Sequence, residues 1–176
     1  MRVRVPALLL ACAVPGLLGC KTLSEVSIGY ADAISTSSLP DDGPWSRVSV
    51  AFPSLTDMDP LSSPSLTRYQ VTPEEVESVK VTSVDFTGPT GECGLPFSAI
   101  ELQLVAPELG PTTLANATRD GECLRWTLAG ETELGPWFRQ PTISIVAVVD
   151  GQPIADTQSL SLRVSFLIDV ADKKIE

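Results

Sequence analysis

The chain has 176 residues, with 22 acidic against 12 basic side chains, a formal charge of −10 and no histidine. An acidic surface repels phosphate backbones and anionic headgroups, which argues against nucleic acid as a partner. The lack of histidine removes Ser-His-Asp and Cys-His nucleophilic systems together with histidine-ligated metals.

Arg2 and Arg4 open the chain, an apolar stretch runs from Val5 to Leu18, and the small Gly19 stands before Cys20. A bilayer span needs about 20 apolar residues, so this shorter stretch reads as a cleaved export signal rather than a membrane helix. Leu17-Leu18-Gly19-Cys20 resembles the lipobox of bacterial lipoproteins, with Leu at the third position before the cysteine; Leu18 departs from the small residue usual there. The resemblance implies that the Cys20 thiol receives a diacylglyceryl group, that residues 1–19 are removed as a signal peptide, and that the new amino terminus is acylated. Two or three acyl chains meet or exceed the two signals that stable anchoring requires, so the implied partner is a membrane through its lipid. Lys21, not Asp, follows the cysteine, which favours the outer over the inner membrane of the envelope.

Cleavage takes away two of the 12 basic residues and none of the 22 acidic ones, leaving a formal charge of −12. Cys12 departs with the signal and Cys20 is used by the anchor. Cys93 and Cys123 then remain in an oxidising compartment and are expected to form a disulfide. With no histidine, two thiols do not complete a usual zinc set without carboxylates, so no metal is expected at them. Residues 20–44 are rich in Ser, Thr, Asp and Pro and show no sustained apolar period, which reads as the lipidated cysteine followed by a flexible tether. Two alternatives stay open for this stretch: a first strand around Val26 to Tyr30, or an irregular edge packed along the domain.

From Trp45 onward the pattern is period two, the mark of strands with one buried face. Val48, Val50 and Phe52 alternate with Ser49 and Ala51. Thr72-Pro73-Glu74-Glu75 suits one helical turn, with a cap, a proline at the first position and acids facing the dipole, followed by a strand. In that strand Val79 and Val81 lie on one parity and Val84 and Phe86 on the other, which a bulge near Thr82 and Ser83 reconciles. Ile100, Leu102, Leu104 and Ala106 form a second alternating run, and Leu124, Trp126 and Leu128 a shorter one with Trp126 facing inward. Ile143 to Val149 is almost wholly apolar, as for a central strand covered on both sides. Leu160, Leu162, Val164, Phe166, Ile168 and Val170 make the longest run. Asp120-Gly121 and Asp150-Gly151 supply turn chemistry. Residues 45–176 are therefore expected to form one all-β domain, an antiparallel β-sandwich of immunoglobulin-like or jelly-roll type. Trp126 lies after both cysteines and Cys93 falls in the Gly- and Pro-rich loop from Gly88 to Pro96, so the bridge is expected to pin a loop rather than cross the core. The order Val71-Thr72-Pro73-Glu74-Glu75, a strand and then a linked β domain is similar to uncharacterised β-sandwich lipoproteins of large-genome bacteria, a resemblance that defines no named domain family.

Few residues suggest chemistry. Asp41-Asp42, Asp57 with Asp59, and Glu74-Glu75 are paired carboxylates, the minimum for glycoside hydrolysis, but an acidic chain generates such pairs on its solvated surface. Gly88 to Gly94 lacks the lysine and helix of a phosphate loop. Trp137 and Phe138 lie in the connection Gly135-Pro136-Trp137-Phe138 and are the candidate ligand-binding residues, able to stack on a glycan ring or anchor a protein; the structural alternative is that they close one end of the sandwich. The expected function is thus a non-enzymatic interaction or structural module of the envelope, needing no cofactor and acting on an envelope protein or a glycan. The alternatives are a carbohydrate-binding sandwich and a histidine-free enzyme using paired carboxylates.

Overall fold

A computed structural model describes residues 22–174 apart from 42, 90, 92, 131 and 155–157. Its strands are β1 (Thr22–Ser35), β2 (Trp45–Ala51), β3 (Val76–Thr87), β4 (Phe97–Ala106), β5 (Gly110–Asp120), β6 (Cys123–Leu128), β7 (Ser144–Gly151) and β8 (Ser159–Lys174), and two short helices, α1 (Pro64–Arg68) and α2 (Gly135–Phe138), lie in the connections. They form an antiparallel sandwich of a three-stranded sheet, ordered β1-β8-β3, and a five-stranded sheet, ordered β2-β7-β4-β5-β6.

The alternating runs supply the core. In β8, Leu160, Leu162, Val164, Phe166, Ile168 and Val170 are all buried, while Arg163 is exposed on the other face. Ile100, Leu102, Leu104 and Ala106 of β4 face them from the opposite sheet, also buried. Side chains of the two inner faces interdigitate, as sheet-on-sheet packing requires. The β3 register slips between Val81 and Ser83, where the sequence places a bulge. The expected turn before it is a 3-10 turn, Pro73–Glu75, in which the Glu75 carboxylate accepts the Thr72 N–H at 2.8 Å.

Of the readings open for this stretch the strand around Val26 to Tyr30 holds, and it extends over residues 22–35 in place of a flexible tether there. They form β1, paired with β8 from Thr22 against Lys174 to Ser35 against Ser159. Val26, Ile28 and Ile34 are buried at even positions, and half-buried Tyr30 joins them. The outward positions hold Ser27, Gly29, Ala31 and Ala33, small residues that give the segment a tether-like composition while leaving a period-two face. Asp32 interrupts the apolar parity; its carboxylate accepts the Ala33 and Ser54 amides at 2.8 and 2.7 Å. The described domain therefore starts at Thr22, not at Trp45.

Strand β7 is central, hydrogen-bonded to β2 and β4. Ile145, Ala147 and Val149 face the core with no more than 1% exposure; on the other face Val148, flanked by Ser49 and Glu101, is only 7% exposed, whereas Val146 is half-buried. Gly151, at φ 151°, ends β7 between Trp45 and Phe97, whose rings stack across it with centroids 5.7 Å apart. A Cβ at Gly151 would lie 2.5 Å from the Pro96 carbonyl oxygen and 2.7 Å from the Phe97 Cα, so only glycine permits this approach. Trp126 lies opposite the buried Ala117 and packs its ring against Phe86, on the inner parity its spacing implied. It stays half-buried because β6 is a sheet edge.

Candidate functional site

Helix α2 is held to the start of β3 by polar groups on either side of it. One Glu133 carboxylate oxygen accepts the Val79 and Gly135 amides at 3.0 and 2.6 Å, and the Leu134 amide donates to the Val79 carbonyl at 3.1 Å. On the far side the Arg139 guanidinium donates to the Val76 carbonyl at 2.7 and 3.1 Å. This clamp fixes the direction of the two candidate aromatic residues. Phe138 has no exposed surface, and its ring lies 5.0 Å from that of Phe166. It is part of the core and offers nothing to a ligand, which corrects its place beside Trp137 in a binding pair. Trp137 is half-buried, with its indole N–H donating to the Gly110 carbonyl at 3.0 Å. The pair thus ties the β4–β5 hairpin to β3 and closes one end of the sandwich.

Cys93 and Cys123 are bonded, with Cα atoms 3.9 Å apart. Both are half-buried, and the Gly94 amide donates to the Glu122 carbonyl at 2.9 Å beside them. The bridge fastens the loop before β4 to the first residue of β6 and does not cross between the sheets, as its sequence context indicated. Cys20, the expected lipid acceptor, lies outside the described residues, as do residues 1–19.

The carboxylate pairs are dispersed. Asp57 and Asp59 are both exposed; the Asp57 amide donates to the Ser144 hydroxyl and an Asp59 oxygen accepts the Leu61 amide, each at 2.9 Å, so the two residues shape a turn. Glu74 is exposed and Glu75 serves its own turn. Asp41 is exposed, and Asp42 lies outside the described residues. Among the described residues no group of three or more Cys, Asp or Glu is placed to hold a metal. A shallow groove of about 490 Å³ on the outer face of the three-stranded sheet is lined by Ala31, Asp32, Asp85, Ser161 and Arg163. An acidic corner of Glu25, Glu77 and Asp169 lies near the start of β1, with the Ser78 hydroxyl donating to Asp169.

Two polar features escape sequence reasoning. On the outer face of the five-stranded sheet the Glu101 carboxylate accepts Gln103 at 3.0 Å, Thr113 at 2.9 Å and Arg47 at 3.0 Å. Hydrogen bonding by Gln103, then by Thr113 and Arg47, holds its pKa below the usual carboxylate value against an opposing desolvation. The outward parity of Glu101 and Gln103 is visible in the sequence, but Arg47 comes from 54 positions away. Tyr30 is the other: its hydroxyl donates to the Pro60 carbonyl at 2.5 Å, and burial, followed by the nearby Asp59 charge, pushes its pKa up.

No protein-family model, curated protein or solved structure matches the chain. No helix among the described residues is long and apolar enough to cross a membrane.

Proposed function

We propose that the chain is an exported lipoprotein, anchored through Cys20 in the bacterial envelope with the outer membrane favoured, whose β-sandwich is a non-enzymatic interaction or structural module for an envelope protein or glycan. The observation that carries this reading is the Cys93–Cys123 disulfide. Disulfides persist in oxidising compartments and are rare in the cytosol, and this one stands downstream of Leu17-Leu18-Gly19-Cys20 behind a charged start and an apolar run. The described members of the carboxylate pairs lie on separate turns and loops, which supports the non-enzymatic reading.

Metabolic labelling with a fatty-acid analogue tests the anchor. The wild-type chain is expected to take up label and to lose residues 1–19, whereas Cys20→Ala abolishes both; label that persisted in the substituted chain would overturn the reading. Crosslinking of the lipidated protein in intact membranes is expected to recover a partner, and turnover of any substrate by the purified protein would refute the non-enzymatic role.

A further inference from the structure

We propose that the sandwich docks directly on the bilayer holding the Cys20 acyl chains, with the β4–β5 hairpin tip at Leu109, backed by Trp137, as a second apolar contact. The inference rests on the lipid-anchor reading and adds an orientation to it. Strand β1 begins at Thr22. Two residues of fully extended chain span at most about 7 Å, so an acylated Cys20 leaves the domain almost no spacer. The bottom of the sandwich must then sit among the headgroups.

The hairpin tip lies at this same end. Thr22 pairs with Lys174 and Val76 with Val170, which places the starts of β1 and β3 at the same end of the three-stranded sheet, four β8 positions apart. Arg139 bonds the Val76 carbonyl, Trp137 on the same helix bonds Gly110, and Leu109 precedes it. Leu109 is 41% exposed, the one exposed large apolar side chain among the described residues. Pro107, Pro111 and Pro136 are exposed around it. Tryptophan favours the water–bilayer interface, where its apolar body and polar N–H are both accommodated. Glu108 and the acidic corner of Glu25, Glu77 and Asp169 share this end with the Lys173 and Lys174 positions of β8, so acidic and basic charge offset each other and the membrane proposed is a zwitterionic one.

The native tryptophans allow a direct test. Trp45 is in register with Gly151 and Phe97, and Trp126 with Ala117 and Ile100, at the far end of the five-stranded sheet from Gly110. At about 3.3 Å per residue Trp45 lies roughly 30 Å, and Trp126 roughly 20 Å, along the strands from the level of Gly110, to which Trp137 is bonded. The lipidated protein is placed in vesicles of phosphatidylcholine and phosphatidylethanolamine carrying a headgroup nitroxide, and tryptophan quenching is read. The expected result is clear quenching that disappears in Trp137→Phe and is mostly lost in Leu109→Glu, with both variants still lipidated by mass and retained on vesicles. Quenching that is absent, or unchanged by Leu109→Glu in a lipidated protein, would overturn the docking. An unlipidated amino terminus, read from the mass, would instead overturn the anchor and the docking with it.

Discussion

Replacing Cys93 and Cys123 together by Ser is expected to lower stability without unfolding the domain. The bridge closes a loop of sequence separation 30 that contains β4 and β5. The chain-entropy relation gives about 12 cal/mol/K for such a loop, or about 3.6 kcal/mol at 25 °C, most of it acting on the unfolded chain. The folded state loses little else. Cys123 remains paired with Asp120 at the start of β6, and the Gly94–Glu122 backbone bond does not depend on sulfur. Both cysteines are half-buried, so two hydroxyls leave no cavity in the core. For a domain of this size about 3.6 kcal/mol corresponds to a drop in Tm of about 7–14 °C. Differential scanning calorimetry of the oxidised protein and the double variant, with circular dichroism to confirm retained strand content, measures it. A Tm unaffected by the substitution would refute the loop-entropy argument, and loss of all strand signal would show that the two sheets do not hold together unaided.

Gly151→Ala is expected to cost about 2–3 kcal/mol, because the new methyl meets the backbone of Pro96 and Phe97 and parts the Trp45–Phe97 stack; urea denaturation reads this, and a neutral result would contradict the close approach. Phe138→Ala should destabilise by about 3–5 kcal/mol through a cavity against Phe166, whereas Trp137→Phe, losing one hydrogen bond, costs about 1 kcal/mol. Equal costs in the same denaturation assay would argue against the division of roles within α2. Glu101, whose folded pKa lies below its ordinary 4.5, contributes stability that is fully present above pH 4.5 and is lost as pH falls through the lowered folded value. Glu101→Gln should therefore flatten the decline of stability below that pH, and an unchanged acid profile of Tm would sink the assignment.

The strand pattern was legible in the sequence because burial on one face of a strand imposes a period of two, and the run from Leu160 to Val170 shows it without interruption. The bulge after Val81, the inward parity of Trp126 and the position of the disulfide in a loop followed from the same rule and from the spacing of the cysteines. Strand β1 was obscured because its outward residues are small and its inward series is broken by Asp32, whose amide partner lies in a distant turn. Local composition there matches a linker, and only pairing with β8 across the whole chain stabilises it as a strand. The roles of Trp137 and Phe138 were undecidable from their neighbours, since adjacent residues on a short helix point in different directions. The clamp by Glu133 and Arg139 on β3 settled which ring enters the core. Charge, the absence of histidine and the cysteine count come from the sequence by itself, because they are sums over residues. Sheet order, the Glu101 network and the end at which Leu109 lies depend on contacts between residues far apart in the chain, and only the tertiary structure decides those.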